Sequence, residues 1–312
     1  MINQFQRIAV LFPGQGTQYP GMARDFFDNF ALFRATFEEA DDLLRRPLSK
    51  IVLEGSEEGL KETQNSQTSI YVTGIGIWRV LRELSGLQPF VCAGLSLGEY
   101  TALTVGGWLS FQETLSLVQR RGQFMQDACE ARPGTMAVVM GLDGEILEEL
   151  VRNLHLPNDL WVANLNGPDQ VVLSGTLKGI KAGIAAAKAH HAKRAIPLQV
   201  QGAFHSGLMQ QAKERLAPYI QSAPMHQGVS QIVMNVPGDF ISSIDKVRDY
   251  LIEQVTQPVR WEQGIRSMER EEVEAYVAFG PGNTLSGLNK RIGVRVPTLT
   301  IEKVEDLVRL VN

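Results

Sequence analysis

The chain has 312 residues, a net charge of -4, 44% hydrophobic side chains and 21% charged ones. That supplies a sizeable core and fits one large α/β domain, or a large domain carrying a smaller one. The acidic balance argues against a nucleic-acid partner, and no apolar run nears the ~18 residues of a membrane span.

Arg7-Ile8-Ala9-Val10-Leu11-Phe12 is a continuous apolar run, the signature of a strand buried on both faces of a parallel sheet. It ends in Pro13-Gly14-Gln15-Gly16-Thr17-Gln18, a loop at the strand edge where open α/β sheets place ligands. The glycine spacing fits neither a dinucleotide nor a P-loop fingerprint. An exposed Gln15 amide completing an oxyanion hole is the better use. Residues 22–60 read as covering helices broken by Pro47 and Gly55, and 68–84 as a long amphipathic helix. Gly74 and Gly76 inside it cost ~1 kcal/mol each against alanine and would allow close approach to the sheet.

Phe90-Val91-Cys92-Ala93 then leads into Gly94-Leu95-Ser96-Leu97-Gly98 and a helix over 99–105. Glycine and serine share loops often, so the Gly-x-Ser-x-Gly match counts only in a strand–turn–helix setting, which is present. There the serine hydroxyl projects from the turn. The Leu97 amide and the helix N-terminus bring positive potential to the same place. Ser96 is the candidate nucleophile. The next helix, over 111–129, carries Arg120 and Arg121, which point about 100° apart; one can face solvent while the other enters a cleft.

A change of texture follows. Strands over 136–140, 160–165, 170–174 and 193–198 alternate with helices over 143–155 and 176–190. The order βαββαβ is that of ferredoxin-like units. Expected, therefore, is an inserted small subdomain over 132–198, with 1–131 and 199–312 forming the large one. The chain returns through Val200-Gln201-Gly202-Ala203-Phe204-His205-Ser206 and a helix to Ala217. Of 5 histidines, His155, His190, His191 and His226 sit in polar helix-end or loop contexts, whereas His205 follows the crossover among small residues. It is the candidate general base. A strand at 232–235, helices over 246–255 and up to 270, a strand at 275–279, a short helix to 291 and an edge strand at 298–301 complete the chain.

Cys92 and Cys129 are the only cysteines. With no leader-like start, this suggests a reducing, cytoplasmic setting without disulfides. No Cys/His cluster has metal-ligand spacing, so no metal is expected.

Gly14-Gln15-Gly16, Gly94-Leu-Ser96-Leu-Gly98-Glu-Tyr100, Gln119-Arg-Arg121-Gly122, Gly202-Ala-Phe204-His205-Ser206, Gln257-Pro-Val-Arg-Trp261 and Gly280-Pro-Gly282 occur in one order. Together they resemble the malonyl-CoA:acyl carrier protein transacylase family over essentially the whole chain. The resemblance implies a hydrolase-like, mainly parallel α/β sheet flanked by helices, with the ferredoxin-like insert. It implies that Ser96 is acylated by malonate, that His205 is its base, and that Arg121 binds the malonyl carboxylate. Gln15 and Leu97 would supply the oxyanion amides. Gln67 matches a pocket glutamine, although Thr68 follows it where the family has proline. Met125 and Asn166 match pocket-lining positions. Leu95 stands where the family has histidine.

The partners implied are malonyl-CoA and CoA and a holo acyl carrier protein, with no redox cofactor. A Ser–His dyad is implied, the imidazole held by a backbone carbonyl near Arg260; from the residues alone, Asp127, Asp143, Asp159 and Asp169 precede His205 without any motif. Phe204 beside the base would narrow the space at the α-carbon. Lys188, Lys193, Arg194, Lys290 and Arg291 are candidates for a local basic patch facing an acidic carrier. The alternatives are a discrete acyltransferase of polyketide synthesis, a serine esterase or thioesterase with water as acceptor, and a non-catalytic carrier-binding module.

Overall fold

The computed structural model describes residues 2–200 and 202–311; Gln201 lies outside the described residues. In chain order the strands are β1 (Ile8–Phe12), β2 (Val91–Gly94), β3 (Thr135–Met140), β4 (Leu160–Gly167) and β5 (Gln170–Gly175). They continue as β6 (Arg194–Pro197), β7 (Gln231–Met234), β8 (Asp239–Ile241), β9 (Ala275–Phe279) and β10 (Thr298–Ile301). The larger sheet has the order β10-β9-β1-β2-β7-β8, parallel except for the antiparallel β7–β8 pair. Every residue of β1 is buried, as its unbroken apolar run requires. Val10 and Phe12 enter one half of the core, under the helix Thr63–Ser85, while Ala9 and Leu11 enter the other, with Trp261 and Ile265.

Because β1, β2 and β7 are parallel neighbours, the segments after Phe12, Gly94 and Met234 emerge at one edge of the sheet. The Leu95 amide donates to the Phe12 carbonyl at 3.0 Å, which ties the first two of these segments together. This edge is where the functional side chains gather.

The long helix begins at Thr63 rather than at the expected 68. Thr68 is the reason: it keeps its amide, and its hydroxyl donates to the Gln64 carbonyl at 2.8 Å, so the helix runs through it. A proline there would favour a helix start or break. Of its two glycines, Gly74 does pack near β1, its absent Cβ lying 3.7 Å from Phe12, but Gly76 faces the ring of Phe33 on the helix Ala31–Leu44. A third glycine matters more. A Cβ on Gly122, on the helix Phe111–Ala131, would lie 2.7 Å from Gln64 Cα, so only a glycine lets these two helices pack this closely. Gln67 and Arg121 stand on them.

The smaller sheet is antiparallel with the order β4-β5-β3-β6, the ferredoxin-like arrangement expected from βαββαβ. The helices Gly144–Asn153 and Leu177–Ala189 pack over it around Leu147, Leu160, Leu173 and Ile180. Its β4 edge is fixed to the large sheet's side of the molecule by the Gln257-Pro-Val-Arg-Trp261 segment. The Leu165 amide donates to the Val259 carbonyl and the Val259 amide to the Ala163 carbonyl, each at 2.8 Å. Register irregularities between Val162 and Asn164 and between Leu165 and Gly167 re-aim the side chains of that strand.

Strand β8 and the helix Val304–Val311, which seats Leu307 and Leu310 on the core, escaped the sequence reading. Both are short. Among the described residues no helix is long and apolar enough to cross a membrane.

The elbow glycines are the tightest point. A Cβ on Gly98 would collide with the Phe12 carbonyl, and one on Gly94 with the Gly98 backbone, so neither clash can be relieved by a side-chain rotation. Gly98→Ala is expected to cost ~1–3 kcal/mol of stability in urea unfolding and to lower activity with it; a variant as stable as the parent contradicts this packing.

Candidate active site

Ser96 occupies the turn between β2 and the helix Gly98–Val105 with φ at 53°, a left-handed conformation that L residues adopt at a cost. Both of its peptide groups are held by side chains from elsewhere. Its amide donates to Asn235 Oδ1 at 2.7 Å, and its carbonyl accepts from Gln254 Nε2 at 2.8 Å. Asn235, just past β7, also donates through Nδ2 to the Gly94 carbonyl at 2.7 Å. The turn is thus braced from the β7 side and from the end of the helix Ile244–Gln254.

His205, 3% exposed and itself at φ 56°, lies with Nε2 2.8 Å from Ser96 Oγ. Its Nδ1 lies 2.7 Å from the Gln254 carbonyl. A carbonyl only accepts, so Nδ1 carries the hydrogen and Nε2 presents its lone pair to the serine. The holding carbonyl is that of Gln254, not one beside Arg260 as expected. The Arg260 amide instead donates to the Asn235 carbonyl at 2.9 Å. Gln254 is available for a local reason: four residues on stands Pro258, which has no amide hydrogen to continue the helix. The four aspartates that precede His205 are engaged elsewhere: Asp127 with Arg215, Asp159 with Thr176, Asp169 with Arg291, and Asp143 as a helix cap.

Burial lowers the His205 pKa to about 4, helped by the nearby Arg121 charge, while the backbone groups of Gln254 and Gln257 pull it back. The ring is therefore neutral across the physiological range and competent to take a proton.

Arg121 is 1% exposed and points inward, while Arg120 lies over the ring of Tyr219 at 4.0 Å. Arg121 Nη1 donates to Gln67 Oε1 at 2.7 Å; Nη2 donates to Gln254 Oε1 at 3.0 Å and to Ser96 Oγ at 3.1 Å. Its Nε has no partner among the described residues. Such a cation, buried without a carboxylate in contact, is costly unless something anionic reaches it. The nearest acid of the network is Glu99, fully buried and one amide away: Gln254 Nε2 donates to Glu99 Oε2 at 2.8 Å. Glu99 Oε1 accepts from the Asn235 amide at 2.6 Å. Desolvation pushes the Glu99 carboxyl up, against the pull of these two donors and of Arg121; both of its oxygens accept hydrogen bonds, and this geometry holds the ionised form.

Ser96, His205 and Arg121 open onto a cleft of about 660 Å³ that runs between the large sheet's edge and the small sheet. Gln15, Met125, Asn166 and Phe204 line it too, as does Leu95. Asn166 Oδ1 is buried without a partner among the described residues. Gln67 and Leu97 do not line the cleft. Gln67 stands behind Arg121, fully buried, and Leu97 sends its side chain into the core from the N-cap position of the elbow helix. Among the described residues neither the Leu97 nor the Gln15 amide donates to a protein acceptor. The loop carrying Gln15 sits against the elbow because Gly14 has no Cβ; one would lie 2.7 Å from the Leu95 carbonyl. Among the described residues no group of acidic, histidine or cysteine side chains could hold a metal.

Asn235, Gln254 and Glu99 were missed in the sequence. In the sequence Glu99 is simply the start of the helix over 99–105, and Asn235 and Gln254 fall at or near the ends of an expected strand and helix. Only Pro258 after Gln254 carried a usable signal. If the burial of His205 governs its titration, its imidazole nitrogen resonances in an NMR titration should stay those of the neutral Nδ1–H form down to about pH 5. A midpoint near 6.5 contradicts this.

Residues 10–286 match the acyl transferase domain family. The malonyl CoA-acyl carrier protein transacylase of Bacillus subtilis is 38% identical over 302 residues, covering 96% of this chain and 95% of the relative. That of Escherichia coli K12 is 34% identical over 300 residues, 96% of each. Among solved structures, a malonyl-transacylase in complex with a type II polyketide synthase acyl-carrier protein superposes with a TM-score of 0.94 at 33% identity, covering 98% of this chain and 99% of that one. The malonyl CoA-acyl carrier protein transacylase of Coxiella burnetii gives 0.94 at 34%, covering 98% and 97%. The chain belongs to the malonyl-CoA:acyl carrier protein transacylase family of acyltransferases.

Proposed function

We propose that this enzyme moves a malonyl group from malonyl-CoA to the phosphopantetheine thiol of an acyl carrier protein through a malonyl ester on Ser96, and that it supplies fatty acid synthesis. The observation that carries the reading is the buried, carboxylate-free guanidinium of Arg121 3.1 Å from the Ser96 hydroxyl. A planar guanidinium beside a nucleophile suits an acyl group bearing its own carboxylate, which it can hold through paired hydrogen bonds.

In the first half-reaction Ser96 Oγ attacks the thioester carbonyl as its proton passes to His205 Nε2. The oxyanion is met by the Leu97 and Gln15 amides. The tetrahedral species collapses with loss of CoA thiolate, which receives the proton from His205. In the second, the carrier thiol gives its proton to His205 and attacks the ester carbonyl, and Ser96 leaves with that proton. The neutral carbonyl behind Nδ1 fixes the tautomer without adding charge, which makes His205 a weaker base than a triad histidine. No redox or metal step is involved in this scheme. Met125, Asn166 and Phe204 would shape the acyl and pantetheine space, with Phe204 disfavouring a branched α-carbon.

We read residues 132–198 as a second subdomain, supported by its separate sheet and core, with 1–131 and 199–312 as the catalytic one. The two buried, unpaired cysteines support a cytoplasmic setting. Lys188, Lys193, Arg194, Lys290 and Arg291 remain our candidates for meeting an acidic carrier, although Arg291 is partly committed to Asp169 at 2.8 Å.

Intact-mass analysis tests the reading. Malonyl-CoA should add one malonyl group, and holo carrier protein should remove it; an adduct that only hydrolyses indicates a thioesterase, and an adduct persisting in Ser96→Ala removes Ser96 as nucleophile. Losing a buried ion pair of this kind costs about 2–5 kcal/mol. Arg121→Ala should therefore lower malonyl kcat/KM by roughly 30-fold to several thousand-fold while acetyl transfer gains relative to it. The likeness to a polyketide transacylase makes a polyketide carrier the second reading. Competition between fatty acid and polyketide carriers for the malonyl enzyme separates the two.

A further inference from the structure

The buried carboxylate of Glu99 has no place in the chemistry described so far, yet it sits at the convergence of every support beneath Ser96. Its Oε1 accepts from the Asn235 amide and its Oε2 from the Gln254 side chain. Asn235 holds the Ser96 amide, and Gln254 holds the Ser96 carbonyl. The same Gln254 accepts from Arg121 through Oε1 and from His205 through its backbone carbonyl. One side chain thus reaches the nucleophile, the base and the acyl-selecting arginine, each through a single intermediary.

The direction of these bonds matters. A glutamine amide can be turned end for end with little change in shape. In one orientation Gln254 presents Oε1 to Arg121 and Nε2 to the Ser96 carbonyl. In the other it presents Nε2 to Arg121, donor against donor, and Oε1 to the Ser96 carbonyl, acceptor against acceptor. Arg121 is a pure donor and the Ser96 carbonyl a pure acceptor, so both favour the first orientation. The Glu99 carboxylate, also a pure acceptor, adds its preference at the end of the chain. It also places a carboxylate one amide away from the buried guanidinium, whose charged form it favours. Tyr100 and His205 are the other titratable groups beside Arg121.

We infer that Glu99 is a positioning residue for acyl selection: its carboxylate fixes the Gln254 amide so that Arg121 and the Ser96 turn are held in one arrangement, ready for a substrate carboxylate. Glu99 touches neither substrate nor reacting atoms. It acts through Gln254 and Asn235. This inference rests on the malonyl-transfer reading, in which Arg121 meets the acyl carboxylate.

Glu99→Gln is the direct test. The amide keeps shape and volume but offers one acceptor and one donor where two acceptors are needed, so it turns a donor toward either Gln254 or the Asn235 amide. Single-turnover acylation of purified enzyme is measured with malonyl-CoA and with acetyl-CoA, alongside the unfolding midpoint. The expected result is a ratio of malonyl to acetyl kcat/KM lowered by ~10-fold or more, with malonyl KM raised. A purely structural role for Glu99 slows both acyl groups by the same factor; an unchanged ratio therefore overturns the inference, whatever the loss of stability. Should Glu99→Gln fail to fold, Gln254→Met breaks the same relay from its other end while keeping the backbone carbonyl that holds His205, and the same fall in ratio is expected. An unchanged ratio there is equally decisive against it. Parent enzyme that takes no malonyl adduct on Ser96 defeats the malonyl-transfer reading itself, whereas a parent that does, with an unshifted variant ratio, defeats only the role of Glu99.

Discussion

A serine at φ 53° keeps its conformation only if its peptide groups are held, because an L residue relaxes out of the left-handed region when it can. Here Asn235 takes the Ser96 amide and Gln254 its carbonyl, from opposite sides of the elbow. The rest of the site depends on that pair of bonds. They place the Ser96 hydroxyl between the His205 lone pair at 2.8 Å and an Arg121 donor at 3.1 Å. A hydroxyl that donates to one and accepts from the other is set up for deprotonation, since the cation favours the developing alkoxide.

The fold serves this bond pair by bringing distant segments to one edge. Parallel pairing of β1, β2 and β7 stacks the ends that carry Gln15, Ser96 and Asn235. Close packing at Gly122 lets the helix bearing Arg121 meet the one bearing Gln67. The Val259 bridge to β4 then brings the small sheet, with Asn166, to the far wall of the cleft. Each of these is a backbone arrangement first. The polar side chains follow from it.

Charge in the site is arranged with few ions. Arg121 and Glu99 are fully buried and separated by one glutamine amide, while His205 is kept neutral by its surroundings. Low dielectric strengthens every one of these interactions and raises the cost of any group left unmatched. An incoming carboxylate gains from the unpaired donor capacity of Arg121, including an Nε with no partner among the described residues. An acyl group without a carboxylate leaves that capacity unmet.

Much of this was legible in the sequence. The apolar run of β1, the Gly-x-Ser-x-Gly turn and the βαββαβ order define local structure by short-range rules, and local rules can be read along a chain. Turn chemistry and position in the chain mark Ser96 and His205 as candidates, whereas Arg121 is singled out from its neighbour Arg120 only by the family resemblance. What only the tertiary structure decided are the partners. Gln254 rather than a residue beside Arg260 holds His205, Gln67 and Leu97 stand behind the cleft rather than in it, and Glu99 is a buried carboxylate. These are contacts across more than 130 residues of chain in the cases of Glu99 with Asn235 and Gln254. Hydrogen-bond partnership at that separation depends on how helices and strands pack, and a polar residue's type alone does not say which neighbour packing will give it.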